Sequence, residues 1–324
     1  MRTLKPTARP PARRTANSAT GLAAAALALM AAGPLSVAVA ADDVPAGATW
    51  YFHADLDEMR SSEAGAALYA WIEAEVFDEV RKESGIDLGK EVNRVTAWSL
   101  GEEDGAMMVI DGSFSQATRD KALVAAAAAE RFETLQSGRD TYYYVRGDGS
   151  HETPGVQIDG VDNEFYFSFA VDDKLLVAAR KPQMEALLEN RGRIAGSRSH
   201  EGALFLLTAE QSLIQAGMDT SGIDDGDDGF RSNILRNTRQ VALLVADVAG
   251  MIAVDVQLLA TEAATAESMA SIVRGLIALQ AFSGEVDPAV TEVLQGTRVE
   301  VDDTRLKISV ALSSAFIEAA LDEA

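Results

Sequence analysis

Three histidines are the side chains of this sequence whose ordinary pKa suits acid–base chemistry near neutral pH: His53, His151 and His200. His53 precedes Asp55 by two residues in a run that predicts a β-strand, so both side chains are expected on one face. A carboxylate beside an imidazole can orient it as a general base, and Ser61 offers a nearby nucleophile. His151 and His200 lie in polar, loop-like stretches without metal-ligand spacing to another histidine.

The same residues also have a structural interpretation. A strand often becomes polar where it reaches solvent, and Ser61 is not part of the Gly-x-Ser-x-Gly turn that exposes a nucleophile in many hydrolases. Phosphate-binding glycine loops, paired zinc ligands and kinase-like residue sets are also missing from the sequence. We therefore expect no catalytic residues and no cofactor.

An acidic loop is the best candidate for a cation site. Residues 224–229 are Asp-Asp-Gly-Asp-Asp-Gly, and carboxylates on a glycine-containing loop can surround Ca²⁺. The candidate ligands are Asp225, Asp227 and Asp228. If Asp225 takes the first position of an EF-hand loop, Gly229 and Arg236 occupy the fifth and twelfth, where Asp or Asn and a bidentate Glu are required. We therefore expect a solvated acidic loop, and a specific Ca²⁺ site is the alternative.

Aromatic residues cluster in two predicted strands, at residues 142–144 (Tyr-Tyr-Tyr) and 165–169 (Phe-Tyr-Phe-Ser-Phe). Side chains alternate between the two faces of a strand. We therefore expect Tyr143 on the other face from Tyr142 and Tyr144, and Tyr166 on the other face from the three phenylalanines. If one face packs in the core and the other stays uncovered, Tyr143 and Tyr166 form a platform for a peptide, glycan or lipid. We expect ordinary cross-strand packing of these residues, and the platform is the alternative.

Hydrophobic periodicity places these residues on an α+β chain whose second half repeats its first. The repeat is clearest at Asp172-Asp173 and Asp302-Asp303, where one apolar strand meets a turn and a second strand leaves it. In the first half a long helix is predicted from the apolar positions between Leu68 and Val80, ending at Gly85. We predict two tandem split βαβ-like units with antiparallel sheets and helices packed on one face.

We predict that the chain consists of three segments. Residues 1–40 form a signal peptide, residues 41–195 the first α+β unit and residues 196–324 the second. The boundary between the units falls near residues 191–200, where Gly, Ser and Arg replace the apolar periodicity.

The first forty residues predict bacterial export of the Sec type. A basic start without acidic residues precedes an Ala/Leu-rich run at residues 20–32, and Ala38-Val39-Ala40 matches the small-x-small pattern of signal cleavage. The run is shorter than the roughly 20 apolar residues of a membrane-spanning helix. We expect cleavage before Ala41 and a soluble periplasmic or extracellular chain without a transmembrane segment.

The composition excludes several classes of partner and site. Five of the 28 basic residues and none of the 50 acidic residues lie in the first forty, which leaves 23 against 50 and a net charge of −27 after cleavage. This charge repels phosphate backbones, so nucleic acid is excluded as a partner. The sequence has no cysteine, which excludes disulfides and thiolate metal sites.

Residues 55–62 (Asp-Leu-Asp-Glu-Met-Arg-Ser-Ser) and 85–96 (Gly-Ile-Asp-Leu-Gly-Lys-Glu-Val-Asn-Arg-Val-Thr) resemble a group of uncharacterised bacterial exported proteins. Members of that group combine a signal peptide with duplicated α+β units that form a domain of unknown function. The resemblance covers most of the chain after residue 40. It implies a fold and an exported location, and it implies no activity.

Together these patterns predict an exported, soluble binding or envelope-assembly protein without catalytic activity, whose partner is a protein, glycan or lipid. Two alternatives stay open: a secreted hydrolase that uses His53 and Asp55, and a carrier of an apolar ligand. A hydrolase requires a pocket where titratable groups converge, a carrier requires an apolar cavity, and a binding protein requires an exposed sheet face or edge.

Overall fold

The computed structural model describes residues 44–101, 105–147, 164–194, 202–213, 236–282 and 288–322. The predicted signal peptide lies outside these ranges, and so does the predicted boundary between residues 195 and 196. No helix within the described ranges combines the length and the apolar character needed to cross a membrane.

The described chain alternates strands with helices. Its strands are β1 (Trp50–Asp55), β2 (Val92–Ser99), β3 (Ala106–Gly112), β4 (Arg131–Ser137), β5 (Asp140–Arg146), β6 (Glu164–Ser168), β7 (Lys174–Ala178), β8 (Ala203–Glu210), β9 (Thr238–Val248), β10 (Met251–Ala260), β11 (Arg298–Asp302) and β12 (Arg305–Leu312). Its helices are α1 (Leu56–Ser61), α2 (Gly65–Ile72), α3 (Asp78–Ser84), α4 (Leu88–Glu91), α5 (Gln116–Ala127), α6 (Lys181–Glu189), α7 (Ala263–Phe282), α8 (Pro288–Gln295) and α9 (Ser314–Asp322). A π-helical segment, Glu73–Phe77, joins α2 to α3.

All twelve strands belong to one antiparallel sheet, in the order β11-β12-β10-β9-β8-β1-β2-β3-β7-β6-β5-β4. The α+β class and the antiparallel pairing are confirmed, but the prediction of two tandem units with separate sheets is wrong. β1 and β8 pair with each other at the centre, with Tyr51 opposite Thr208. This pairing satisfies backbone groups that two separate sheets would each leave unpaired at an edge.

Helices cover both faces of the sheet, so the predicted packing on one face is also wrong. On one face, called the front face below, Met59 of α1 and Met269 of α7 join a core that includes Leu306 of β12. On the back face, Met184 of α6 packs in a separate cluster with Leu176 of β7. Because strands in the middle of the sheet carry apolar side chains on both faces, each face requires its own cover.

Strands follow the same order outward from the centre in both halves. The second half has β8, β9, β10, β12 and β11, and the first has β1, β2, β3, β7 and β6, followed by an additional hairpin of β5 and β4. The hairpins at Asp173 and Asp303 take corresponding places, and both residues have positive φ angles, of 56° and 53°. A duplication as the origin of this order stays a prediction.

Candidate functional site

Both candidate catalytic side chains of β1, those of His53 and Asp55, contact residues that have structural roles. His53 Nδ1 lies 2.9 Å from the Thr96 hydroxyl oxygen on β2. One carboxylate oxygen of Asp55 accepts a hydrogen bond from the backbone N–H of Glu58 (3.0 Å), and the other accepts one from Arg94 Nε (2.9 Å). Asp55 is therefore the N-cap of α1 and a link between β1 and β2. Hydrolysis by His53 and Asp55 stays the alternative to the expected absence of catalysis.

Residues 55–62 and residues 85–96 contact each other through Arg60. Its guanidinium donates to the carbonyl oxygens of Gly89 (2.8 Å) and Val92 (3.1 Å), and to Asn93 Oδ1 (3.0 Å). Its Cζ lies 5.2 Å from the ring centroid of Tyr69, whose hydroxyl donates to the same Gly89 oxygen (2.6 Å). These contacts attach α1 to the start of β2, so Arg60 satisfies backbone carbonyls and has a structural role.

The remaining polar candidates fall into two groups. The Ser61 hydroxyl donates to the Glu58 carbonyl oxygen (3.1 Å) at the end of α1. His151, His200 and the acidic loop with Asp225, Asp227 and Asp228 lie outside the described residues. Within the described residues, no group of three histidine or carboxylate side chains is arranged to hold a metal ion. The calcium site in residues 224–229 stays a prediction.

The expected cross-strand packing of the aromatic residues is confirmed, with Tyr143 against Phe167 and Tyr144 against Tyr166. The alternative, a platform of Tyr143 and Tyr166, is wrong, because the two rings lie on opposite faces of the sheet. β5 and β6 pair with Tyr144 opposite Tyr166 and Tyr143 opposite Phe167. Paired residues of antiparallel strands share a face, so the strand register decides which aromatic side chains meet. Alternation along each strand was predicted correctly, but it does not define the register between them.

An aromatic strip follows from this register on the front face of β4, β5 and β6. It consists of Phe132, Tyr143, Phe165 and Phe167, together with Phe169, which follows β6 and contacts Phe167. The Phe132 and Tyr143 rings stack with centroids 5.6 Å apart and planes at 10°. The ring centroids of Tyr143 and Phe167 lie 5.1 Å apart. Phe132, Tyr143 and Phe165 are only half-buried. The strip therefore reaches the sheet edge with apolar surface still exposed.

On the back face, tyrosine hydroxyls bind carboxylates and hold neighbouring elements together. The Tyr142 hydroxyl donates to Glu185 of α6 (2.9 Å), and the Tyr144 hydroxyl donates to Glu164 of β6 (2.6 Å). Burial, with a smaller effect of the Glu185 hydrogen bond, raises the pKa of Tyr142 to about 12. The hydrogen bond to Glu164 raises the pKa of Tyr144. Both hydroxyls remain protonated donors at neutral pH.

A buried ion pair near the other end of the sheet was missed in the sequence. Asp255 on β10 is 2% exposed, and one of its carboxylate oxygens lies 3.3 Å from Lys307 Nζ on β12. The only charged residue of the largely apolar strand Met251–Ala260 was the available signal. Its partner was not predictable, because the pairing of β10 with β12 joins residues about fifty positions apart.

The two edge strands, β4 and β11, differ in their cover. β11 has five residues, and Arg274 of α7 donates a hydrogen bond to its Val299 carbonyl oxygen (2.8 Å). β4 has seven residues and no proline or glycine. Within the described part of the chain, no strand pairs with the outer edge of β4. The outer edge of β4 is therefore the candidate interaction site of the described structure.

Two open grooves accompany these edges. One, of about 560 Å³, lies between α7 and the α8–β11 connection and includes Ile277, Ala281 and Leu294. The other, of about 440 Å³, lies between α6 and the β4–β5 turn and includes Asp140 and Glu185. Both open broadly to solvent, unlike the enclosed cavity that a carrier of an apolar ligand requires. Neither groove shows what would occupy it.

The structure defines an α+β protein built on one antiparallel sheet. No protein-family model matches the chain, and no curated protein matches it. Solved structures of a protein named TP0453 are similar. Crystal form III gives a TM-score of 0.46 at 10% identity over 89% of this chain and 99% of that one, and crystal form IV gives 0.47 at 11% identity over 87% and 94%. We draw neither fold nor function from likenesses this distant.

Proposed function

We propose that this protein is an exported, non-catalytic protein of the bacterial envelope that assembles with other chains by strand addition to the outer edge of β4. The export signal predicted for residues 1–40 supports the location. The open edge of β4 carries the proposal for the activity, because unpaired backbone groups along a strand are a template for another extended chain.

The pairing of β4 with β5 identifies the backbone groups that face outward. Ser137 and Asp140 flank a two-residue turn, so they form a hydrogen-bonded pair, and alternate residues of β4 bond to β5 in the same way. The N–H and C=O groups of Phe132, Thr134 and Gln136 then face away from the sheet. Each hydrogen bond that a partner adds contributes about 1 kcal/mol.

Side chains beside this edge suit a polypeptide partner. Phe132, Thr134 and Gln136 all lie on the front face, where Phe132 continues into the aromatic strip. An extended polypeptide presents backbone groups at the spacing of β4 and side chains that can contact Phe132. The net charge of −27 after signal cleavage opposes nucleic acid as an alternative partner.

Photo-cross-linking in the native envelope tests the proposal. A photoreactive residue replaces Thr134 on the open edge, and in a matched variant it replaces Glu300, an exposed residue of β11. We expect adducts from position 134 and at least about tenfold less adduct from position 300, because strand addition excludes solvent only at β4. Equal or absent cross-linking at the two positions would contradict the proposal.

A further inference from the structure

The open edge of β4 is compatible with a particular occupant. Resting on the proposed strand addition, we infer that the chain binds a second copy of itself, with the two β4 strands antiparallel around a twofold axis at Thr134. The axis is perpendicular to the sheet, so the front faces of both copies lie on one side. The resulting dimer continues one sheet across the axis.

This register uses every outward backbone group of β4. Thr134 lies opposite Thr134 of the second copy, and Phe132 lies opposite Gln136. All three are the residues whose N–H and C=O groups face outward, so each opposed pair can form two hydrogen bonds. Thr134 and Gln136 are exposed in the single chain, and Gln136 Nε2 donates a hydrogen bond to Thr141 Oγ1 (2.9 Å) on the neighbouring strand β5.

Charge complementarity also favours this register. Arg139, on the exposed β4–β5 turn, comes beside Glu130 of the second copy, which also pairs with Arg146 of its own chain (3.1 Å). The twofold axis repeats this arrangement at the other end. Glu133 lies opposite Leu135. Shifting the axis by one residue would place Glu133 opposite Glu133, a like-charge contact that destabilises paired strands. Arg131 and Glu133 neutralise each other on β4, so the edge itself carries no net charge although the chain is strongly acidic.

The other edge does not offer an equivalent surface. The outward carbonyl oxygen of Val299 on β11 already accepts from Arg274. A twofold axis at Glu300 would oppose two glutamates at its centre. β4 is therefore the edge of the described sheet that is suited to pairing with itself.

The absence of native cysteine allows a direct test in solution. Thr134→Cys and the matched variant Glu300→Cys are introduced singly into the full chain after signal cleavage and treated with a short thiol-to-thiol cross-linker. Paired residues lie about 5.5 Å apart between Cα atoms at a hydrogen-bonded position. We expect covalent dimers from Thr134→Cys and monomers from Glu300→Cys.

A second variant tests the hydrogen bonds. Thr134→Pro removes one outward N–H from each copy and leaves the bonds to β5 in place, whereas Thr134→Ser keeps the N–H. We expect the dimer dissociation constant, from sedimentation equilibrium, to rise at least about tenfold for Thr134→Pro and to stay near the wild-type value for Thr134→Ser. Circular dichroism establishes that both variants fold.

The outcomes separate this inference from the proposed function. A wild-type monomer across the measured concentrations, or a dimer that Thr134→Pro leaves unchanged, would overturn self-pairing. If the envelope adducts from position 134 contain a different protein, self-pairing fails while strand addition stands. If no adduct forms at all, both fail. Adducts between two copies, together with the cysteine dimers, would support both.

Discussion

β11, at one end of the sheet, has five residues and an outward carbonyl bound by Arg274 of α7, whereas β4, at the other end, has seven residues and an open edge. The difference arises from one hairpin. The strand order of the second half ends at β11, and the corresponding strand of the first half is β6, which is followed by β5 and β4. The added hairpin extends the sheet and replaces a covered edge with an open one.

The two ends also place their charges differently. Asp255 and Lys307, near β11, form a buried pair, while Arg131 and Glu133 on β4 pair at the surface with side chains 54% and 39% exposed. Burial makes an ion pair costly to break, because the remaining charge loses both its partner and its hydration. Stability should therefore depend on charge at the β11 end, whereas the charges at the β4 end are available for recognition.

Removing Lys307 should have the largest effect. Lys307→Ala leaves the buried Asp255 carboxylate unpaired and should lower the free energy of unfolding by about 3 kcal/mol, measured by urea denaturation. Combining it with Asp255→Asn should restore part of the loss, because the amide carries no charge. A loss below about 1 kcal/mol in the single variant would show that solvent reaches the pair and would remove this contrast between the ends.

Tyr142 tests the attachment of α6 behind β5. Tyr142→Phe removes the hydrogen bond to Glu185 and should cost about 1 kcal/mol at neutral pH. The pKa of Tyr142 is raised from 10.0 to about 12 in the fold, so its contribution is complete below pH 10 and is lost as the pH rises toward 12. Thermal unfolding at several pH values should show a steeper alkaline loss in the wild type than in Tyr142→Phe. Parallel curves would show that this hydroxyl does not couple to folding.

The next prediction tests whether Arg274 protects the edge of β11. Arg274→Gln removes the hydrogen bond to the Val299 carbonyl oxygen and should lower the free energy of unfolding by about 1 kcal/mol. Amide hydrogen exchange should then increase in β11 and remain unchanged in β4. If β11 exchanges as slowly as before, some contact other than Arg274 protects that edge.

The smallest effect is expected from the exposed pair on β4. Glu133→Gln should change the free energy of unfolding by less than about 0.5 kcal/mol, since salt bridges at the surface contribute little. The same substitution removes the like-charge penalty of the shifted strand register. Covalent dimers formed through a cysteine at position 134 should therefore become less selective for the register centred on Thr134. Unchanged selectivity would mean that backbone pairing alone defines the register.

Local sequence patterns predicted many individual elements. The predicted hairpins at Asp172-Asp173 and Asp302-Asp303 correspond to β6–β7 and β11–β12. The long helix ends before Gly85 as expected, with Gly85 at φ 67°. That helix is divided by the π-helical segment Glu73–Phe77, which its apolar periodicity did not indicate. These successes depend on periodicity and turn residues within about twenty positions, where neighbouring side chains largely decide the backbone conformation.

Only the tertiary structure decided how these elements combine. The pairing of β1 with β8 joins the two halves into one sheet, the register of β5 against β6 separates Tyr143 from Tyr166, and the contact of β10 with β12 gives Asp255 its lysine. Each depends on residues far apart in the chain, and a shift of one residue in register would exchange the faces of every side chain on a strand. Alternation is identical in all such registers, so the sequence determined which residues form strands, while packing and backbone pairing across the whole sheet determined which of them meet.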